Sequence, residues 1–399
     1  MTCPICCHSH LEALLILLCG NLDNSSLYDP VVIVCCRYCG HVFNRLTDKN
    51  KQGVIDYYEN EYSFNNLDSP NVQGDLPGSS SENSESRYLG LHQFIRGSLD
   101  VNSRILDIGC ATGGFLRSML DKGYSKLHGI ELSTPYVEKA KHKKIDIRKG
   151  AAEDIPYDAN YFDFIVADQV VEHLFDPNQI FIEVKRVLRR GGLFCISVPD
   201  AMLYNEHYFF DFYWFIMREH VQHFDLQHLT AIASEHGFEV VKHATTFTAM
   251  NSEKVVLPNL SVLFRVADYD TSLLALNDCD YGLRLSAKEY IHHSYRELEE
   301  KKILIDKIVD SGKPIHIFGA SRELYYLYNN TNLRLCNIRS IVDDTEYKQQ
   351  NFKFDGKEIK GRESLIGSRD HVLITATAHT DKIKSILYGV GFKGDIIAI

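Results

Sequence analysis

Residues 104–131 carry the pattern that most limits how this chain can fold: an apolar strand, a glycine-rich turn, a helix and a second apolar strand. Asp107 lies near the end of the first strand, Gly109 and Gly113 lie in the turn, and Glu131 ends the second strand. A glycine turn between strand and helix lets a ligand lie against backbone N–H groups, and an acid after the next strand can hold a ribose diol. The pattern predicts a doubly wound α/β domain with a nucleotide-like ligand at the turn.

The glycine spacing separates this turn from the dinucleotide-binding fingerprint. Gly-x-Gly-x-x-Gly would need glycine at position 111, where the chain has alanine. The run Asp-x-Gly-x-Ala-x-Gly resembles instead motif I of the class I S-adenosylmethionine (SAM) methyltransferases. The resemblance implies that Glu131 holds the ribose of SAM and that four residues lie beside its methionine part: Asp107, Gly109, Ala111 and Gly113. The alternative is a generic doubly wound turn without a ligand.

Three further segments follow in the order of the same family. The segment after the third strand resembles the family's adenine-edge segment, which implies that Glu153 and the Ala152 backbone hold the adenine. A fourth strand at 162–169 ends on Asp168, where the family keeps backbone that contacts the methionine part. A helix beginning at Asp176-Pro177 and a fifth strand complete a resemblance over about residues 87–240. The resemblance implies an enzyme with a class I methyltransferase fold and SAM as its cofactor.

Composition limits the other functions of the chain. Its 399 residues suffice for two to three domains of roughly 150 residues each. The net charge of −10 argues against a nucleic acid partner, because phosphate binding needs a basic face. There is no apolar run of about 18 residues, which predicts no membrane span. Leu11 to Cys19 lacks the basic start of a signal peptide, so we expect a cytoplasmic protein.

The amino-terminal cysteines predict a metal site. Cys3 and Cys6 form one Cys-x-x-Cys pair, and Cys36 and Cys39 form another. Two such pairs present four thiolates in a tetrahedron, the arrangement of structural zinc. A disulfide framework is the alternative, and the lack of a secretion signal argues against it. The nearby Cys7, Cys35, His8 and His10 do not improve the two-residue spacing and are not predicted to be ligands.

A polar stretch and a later α/β pattern complete the predicted organisation. The stretch at 63–86 is rich in Ser, Gly, Asn and Pro, which is typical of a linker; a lid over the donor pocket is the alternative. After residue 286, strands alternate with helices, and the strand before Gly319 runs into a glycine turn. This predicts a Rossmann-like α/β domain that binds the acceptor or is structural, rather than a second nucleotide site. The predicted parts are a zinc-binding module (1–62), a polar linker or lid (63–86), a SAM-binding domain (87–245), a connecting segment (246–285) and a carboxy-terminal α/β domain (286–399).

The segment from Arg218 to Phe224 contains the catalytic candidates. A histidine that titrates near neutrality is a suitable general base, and an adjacent carboxylate can orient it. His220 is the predicted base, Glu219 the group that orients it, and His223 a further candidate. The alternative is that both histidines only brace the amphipathic helix that follows.

The order of the parts resembles the sugar C-methyltransferase family. Phe318–Ser321 and Ile341–Gln349 are similar to tail segments of that family, and Glu219-His220 lies where its catalytic pair is expected. The tyrosine that the family commonly has two residues earlier is Met217 here. The resemblance implies methylation of a nucleotide-linked sugar at a carbon next to a ketone. O- or N-methylation of another small metabolite, and an inactive zinc-containing SAM-binding or regulatory protein, are the alternatives.

Overall fold

The computed structural model describes residues 1–20, 25–62, 78–79, 82–206, 215–250, 255–267 and 282–399. The described strands, in chain order, are β1 Leu11–Leu17, β2 Val31–Cys36, β3 Val42–Asn44, β4 Arg104–Ile108, β5 Lys126–Glu131, β6 Ile145–Lys149, β7 Phe162–Asp168, β8 Leu188–Pro199, β9 Gln222–His223, β10 Phe238–Met250, β11 Val255–Val266, β12 Pro314–Phe318, β13 Asn337–Val342, β14 Lys353–Phe354, β15 Lys357–Lys360, β16 His371–Ile374 and β17 Ile396–Ala398. The described α-helices are α1 Asp48–Asp56, α2 Glu82–Ile95, α3 Gly114–Asp121, α4 Thr134–Ala140, α5 Asn178–Val187, α6 Leu226–Glu235, α7 Gly282–Ser311, α8 Arg322–Asn330, α9 Glu346–Asn351 and α10 Thr380–Gly389.

A seven-stranded sheet forms the centre of the molecule, in the order β10-β11-β8-β7-β4-β5-β6. The strands from β4 to β8 are parallel, whereas β10 and β11 are antiparallel additions at one edge. Leu106, Phe164 and Ile165 are fully buried because helices cover both faces of the sheet. The strand order reverses between β4 and β7, and ligands of such sheets bind at the carboxyl ends of the strands beside this reversal.

Two predicted boundaries differ from the structure. Helix α2 begins at Glu82, inside the predicted linker, and packs against the central sheet through Leu91 and Ile95. Strand β11 lies inside the predicted connecting segment 246–285 and pairs with β8 from Leu193 to Pro199. The long β10–β11 hairpin is stabilised by this pairing and by burial of its inward-facing apolar residues. Of the rest of the predicted linker, 63–77 and 80–81 lie outside the described residues.

The amino-terminal sheet takes one strand from a distant part of the chain. Its order is β1-β2-β3-β9, and β9 comes from the segment between strands β8 and β10 of the central sheet. Val42 pairs with His223 and Phe43 with Gln222. The cysteine-rich module is therefore joined by backbone hydrogen bonds to the segment that carries the catalytic candidates.

The carboxy-terminal part contains the parallel α/β layer that the sequence predicts. Its sheet has the order β14-β15-β13-β12-β16-β17, parallel apart from β14. The 30-residue helix α7 leads into it and shares one apolar core with the amino-terminal module, including Tyr57, Tyr290 and Ile315. In the described part of the chain, no helix is long and apolar enough to cross a membrane.

Candidate active site

The glycine turn after β4 has the backbone conformation that its sequence requires. Gly109 and Gly113 have φ of 70° and 81°, in the left-handed region that favours glycine. A Cβ atom on Gly109 would lie 2.6 Å from Cγ2 of Val170, so this position also lacks space for a side chain. Ala111 has φ of 46°, which is unfavourable for a residue with a side chain. The alanine that replaces glycine at position 111 therefore introduces local backbone strain into the turn.

Glu131 holds the strained turn in place. Its carboxylate accepts hydrogen bonds from the Ala111 N–H at 2.9 Å and from the Ser133 N–H at 2.8 Å. Burial raises the pKa of Glu131, and these backbone hydrogen bonds oppose the increase. An acid at the end of β5 thus lies directly beside the glycine turn, as the sequence predicts.

Two more acids lie at the same edge of the sheet. Burial, and then the nearby charge of Asp168, raise the pKa of Asp107 well above its ordinary value, while Arg87 opposes this increase. Asp168 makes an ion pair with Arg87, whose Nε lies 3.3 Å from its carboxylate. Arg87 belongs to α2 and was not predicted. One cation therefore lies among several acids at this edge.

The predicted adenine-edge residues follow the end of β6. The Gly150 N–H donates to the Glu131 backbone oxygen at 3.1 Å, which ties this segment to the end of β5. Ala152 is buried beside it, whereas Glu153 remains accessible to solvent. Partial desolvation raises the pKa of Glu153. The structure thus brings the predicted donor-binding residues to the carboxyl ends of four adjacent strands.

A short piece of the predicted linker packs on the glycine turn. The Gly78 carbonyl accepts a hydrogen bond from Arg117 Nη2 at 3.0 Å. A Cβ atom on Gly114 would clash with that same carbonyl. Gly78 therefore lies against the first turn of α3, beside the predicted donor pocket.

His220 is a partly buried histidine with one enclosed nitrogen. Its Nδ1 is buried and has no hydrogen-bond partner among the described residues. Burial, followed by the nearby His173, His223 and Arg322, lowers the pKa of His220 well below its ordinary value. The ring is therefore neutral at physiological pH, as a general base must be.

The other two catalytic candidates take different positions. The Glu219 backbone oxygen accepts a hydrogen bond from Nδ1 of His173 at 2.8 Å. Within the part of the chain that the structure describes, the Glu219 carboxylate makes no hydrogen bond to the His220 ring. His223 is 2% exposed, lies with Nδ1 3.4 Å from the Tyr204 hydroxyl, and belongs to β9. Burial lowers the pKa of His223 to about 4. The structure therefore encloses His223 more completely than His220.

A cluster that sequence reasoning missed lies next to His220. We call Glu172, His173 and His220 the acid–imidazole cluster, because one side-chain ligand atom from each lies within 4.8 Å of the other two. Glu172 is 1% exposed, and neither of its oxygens has a hydrogen-bond partner in the described ranges. Nδ1 of His173 also lies 2.9 Å from the Tyr58 hydroxyl. The adjacent Glu and His directly after β7 were the available sequence signal.

The amino-terminal module anchors the backbone on both sides of Glu219-His220. The Tyr28 hydroxyl donates to the Arg218 carbonyl at 2.7 Å, and the Asn44 N–H donates to the Val221 carbonyl at 2.8 Å. The Asn44 side chain donates in turn to the Tyr28 hydroxyl at 2.7 Å. These contacts fix the position of the dipeptide from the side of the cysteine-rich module.

The four predicted cysteines converge on one point. The Sγ atoms of Cys3 and Cys39 lie 3.6 Å apart and those of Cys6 and Cys36 lie 3.5 Å apart, and none of the four forms a disulfide. Zinc–sulfur bonds of about 2.3 Å in a tetrahedron place sulfurs about 3.8 Å apart, so the spacing fits a shared ion. The Cys39 carbonyl also lies 2.8 Å from Nε2 of His228. The cluster therefore lies directly beside the helix after β9.

The carboxy-terminal α/β unit repeats the arrangement of strand, glycine turn and acid, but its acid is paired with a lysine. The Ala320 N–H donates to Asp343 at 2.9 Å, at the turn where Gly319 has φ of 112°. Asp343 is also paired with Lys348, whose Nζ lies 3.1 Å from the carboxylate. A buried lysine thus lies against the acid that would hold a ribose in a nucleotide site.

Comparison with known proteins supports a methyltransferase fold in the central part of the chain. A family model described as a methyltransferase domain matches residues 81–243. A protein of Mycolicibacterium smegmatis named probable S-adenosylmethionine-dependent methyltransferase is 30% identical over 103 residues, which cover 25% of this chain and 40% of that protein. The ubiquinone/menaquinone biosynthesis C-methyltransferase UbiE of Rickettsia akari is 28% identical over 192 residues, covering 43% of this chain and 71% of that protein.

Among solved structures, the PH0226 protein from Pyrococcus horikoshii OT3 is 17% identical to this chain, with a TM-score of 0.39. The match covers 49% of this chain and 94% of the PH0226 chain. The chain spans less than half the length of the first curated relatives that it matches. The fold and the site define a Rossmann-like α/β methyltransferase fold. Residues 81–243 match a methyltransferase domain, and the named relatives support SAM as the methyl donor.

Proposed function

We propose that the chain is a SAM-dependent methyltransferase that methylates a nucleotide-linked sugar at a carbon next to a ketone. The observation that carries the proposal is the contact of Glu131 with the Ala111 N–H, which joins the acid after β5 to the glycine turn after β4. SAM, when bound, supplies a methyl group on a positively charged sulfur. C-methylation also stands in the name of the Rickettsia relative.

The donor edge suits a cationic ligand. Its carboxylates belong to Asp107, Glu131, Glu153 and Asp168, and they outnumber the two guanidinium groups near them in the described residues, those of Arg87 and Arg117. A cleft lined by charges of one sign attracts the opposite sign. In this proposal Glu131 holds the ribose hydroxyls and Glu153 with the Ala152 backbone holds the adenine. Asp107, Gly109, Ala111, Gly113 and Asp168 surround the methionine part.

His220 is the proposed general base. Its imidazole is neutral because its pKa is lowered, so it can accept a proton without first losing one. It takes the proton next to the ketone, and the electron pair of the broken C–H bond stays on the acceptor as an enolate. Positioned general bases contribute about 10² to 10⁴ in rate. His223 braces β9 in this proposal, and Glu219 faces the acceptor.

The cysteine cluster is a proposed structural zinc site. Four thiolates fill a tetrahedral ion and leave no open position for chemistry, so zinc would contribute to folding. Because β9 completes the sheet of this module, we expect zinc to stabilise the position of Glu219-His220 as well. Elemental analysis of the purified chain should give one zinc per chain, and Cys36→Ser should lose the metal and unfold the module. A fully folded, metal-free wild-type chain would contradict this assignment.

Mass spectrometry with labelled SAM and a panel of nucleotide sugars tests the proposed reaction. We expect one added methyl group on a keto-sugar nucleotide and none on the matched sugar whose ketone is reduced to an alcohol. In deuterium oxide without SAM, the acceptor should exchange the hydrogen next to its ketone, and His220→Ala should exchange it at least tenfold more slowly. Methylation of the reduced sugar, or a label on oxygen or nitrogen, would overturn C-methylation while leaving methyl transfer intact.

A further inference from the structure

The acid–imidazole cluster contains a buried carboxyl group that the proposed reaction does not yet use. Glu172 is as enclosed as a core residue, although both of its oxygens lack partners in the part of the chain that the structure describes. Buried polar groups are almost always hydrogen-bonded, so each exception needs an explanation. A carboxyl group beside a candidate base can orient the base and stabilise its protonated form.

The contacts of His173 exclude this ring as the hydrogen-bond donor to an ionised Glu172. Nδ1 of His173 lies 2.8 Å from the Glu219 carbonyl, which can only accept, so Nδ1 carries the hydrogen and Nε2 does not. That bare Nε2 lies 3.8 Å from Oε1 of Glu172, and it has no hydrogen to donate to a carboxylate. The remaining ring of the cluster is His220, which has a ring nitrogen within 4.8 Å of a Glu172 oxygen and whose Nδ1 has no partner among the described residues. A backbone hydrogen bond to Phe215 also acts on this ring, and with Nδ1 unpartnered it leaves Nδ1 as the nitrogen that can turn to an ionised Glu172.

We propose that Glu172, rather than the neighbouring Glu219, is the carboxyl partner of His220. The inference rests on the proposed function, in which His220 is the base. The Glu172 carboxylate accepts a hydrogen bond from Nδ1–H of His220, so that Nε2 carries the lone pair. When the C–H bond of the acceptor breaks, Nε2 takes the proton and the carboxylate stabilises the imidazolium that forms. The enolate of the acceptor uses this electron pair to form a bond to the methyl group of SAM, and the methyl–sulfur bond breaks to give S-adenosylhomocysteine. His220 then releases its proton to water.

This arrangement predicts a pH dependence different from that of an isolated histidine. Burial, and then the charge of Asp168, raise the pKa of Glu172 to about 8, while Arg87 opposes this. Below that pH the carboxyl is protonated and lacks the negative charge that stabilises the imidazolium, so turnover should increase roughly tenfold from pH 7 to pH 9. The charged and titratable groups around Glu172, from every element packed against it, are Arg87 of α2, Asp168 of β7, His173, His220, Tyr58 and Tyr204.

A shared metal ion is the other arrangement that three such side chains suggest. The cysteine cluster provides an internal comparison, because its paired sulfurs lie 3.5 and 3.6 Å apart, at the spacing of a shared ion. In the acid–imidazole cluster, Glu172 and His173 lie 3.8 Å apart. An imidazole nitrogen and a carboxylate oxygen that each lie about 2.1 Å from a tetrahedral ion would be about 3.4 Å apart. The spacing of Glu172 and His173 is wider than that, which argues against a shared ion.

Nitrogen NMR of ¹⁵N-labelled histidine tests the contact without any acceptor. The His220 ring shifts in the wild-type chain should change at about pH 8, toward the form with hydrogen on Nδ1, and Glu172→Gln should abolish that change. Glu235→Gln, a distant glutamate whose pKa is also raised by burial, is the matched control and should leave the change intact. If the wild-type shifts do not change near pH 8, the inference is wrong, whatever the enzyme methylates.

Turnover and metal content provide the second test. Glu172→Gln should keep SAM affinity, lose at least tenfold in turnover and lose the alkaline increase, whereas Glu172→Asp should regain part of that increase. Turnover within twofold of wild type would overturn the role of Glu172. A second metal ion per chain that Glu172→Gln removes would also overturn it, in favour of metal binding. If no acceptor is methylated but the NMR change is present, the proposed function fails and the contact of Glu172 with His220 stands.

Discussion

The central and carboxy-terminal α/β units begin with the same local design. In each, a strand runs into a glycine turn, a helix follows, and the acid at the end of the next strand accepts a hydrogen bond from an alanine N–H in the turn. The distance is 2.9 Å for Glu131 with Ala111 and 2.9 Å for Asp343 with Ala320. Asp343 is additionally paired with the buried Lys348, whereas the second oxygen of Glu131 accepts from the Ser133 N–H and is not in an ion pair among the described residues.

The difference shows that the turn alone does not make a ligand site. A carboxylate can accept about four hydrogen bonds, so Glu131 keeps capacity for ribose hydroxyls. In the carboxy-terminal unit the lysine neutralises the acid and lies where such a ligand would contact it. We therefore expect one SAM site per chain, in the central unit.

The largest expected effect compares the partly buried His220 beside the central unit with the buried His316 of the carboxy-terminal unit. His220→Ala should retain SAM binding and lose about 10² to 10⁴ in turnover, because its ring does chemistry. His316 has both ring nitrogens partnered, by Ser340 Oγ at 2.7 Å and Ser368 Oγ at 3.1 Å. His316→Ala should reduce the free energy of unfolding and leave the turnover of the folded enzyme near wild type. Steady-state kinetics and urea unfolding of both variants test this. A large loss of turnover in folded His316→Ala, together with near wild-type turnover in His220→Ala, would contradict the prediction.

The next effect concerns the ion pair that closes the carboxy-terminal turn. The side chains of Lys348 and Asp343 are only 9% and 10% exposed, so removing the lysine leaves a buried charge. Lys348→Ala should cost about 3 kcal/mol of stability, the low end for breaking a buried pair. Lys353→Ala, at an exposed position in the same unit, should change it little. A loss below about 1 kcal/mol in urea unfolding would show that the pair does not close the turn.

The smallest effect uses the two alanines of the turns. Ala111 has φ of 46°, whereas Ala320 is not in the left-handed region. Ala111→Gly should therefore raise the free energy of unfolding by up to about 1 kcal/mol, because the left-handed conformation costs alanine about that much. Ala320→Gly should lower it by about 0.5 to 1 kcal/mol through backbone entropy. Equal shifts for both variants in calorimetric unfolding would contradict the assigned conformations.

The sequence predicted what depends on local pattern. The strand, turn and acid at 104–131 lie within one continuous segment, and so do the two cysteine pairs. The sequence did not predict the proximity of Glu172 and His220, because 47 intervening residues separate them and the fold alone brings them together. Strand β11 was missed because its stability comes from pairing with β8. The ion pair of Asp343 with Lys348 was missed because sequence spacing alone does not show the direction in which a lysine side chain points.

Calorimetric titration with SAM tests the central claim most directly. The wild-type chain should bind one SAM with a dissociation constant in the micromolar range, about −8 kcal/mol at 1 μM. Glu131→Ala should weaken binding at least tenfold, and Asp107→Ala should do the same, though Asp107 also supports the turn. Asp343→Ala, the equivalent change in the carboxy-terminal unit, should bind SAM like the wild type. Wild-type affinity in a folded Glu131→Ala chain, or a loss of binding in Asp343→Ala, would contradict the assignment of the donor site to the central unit.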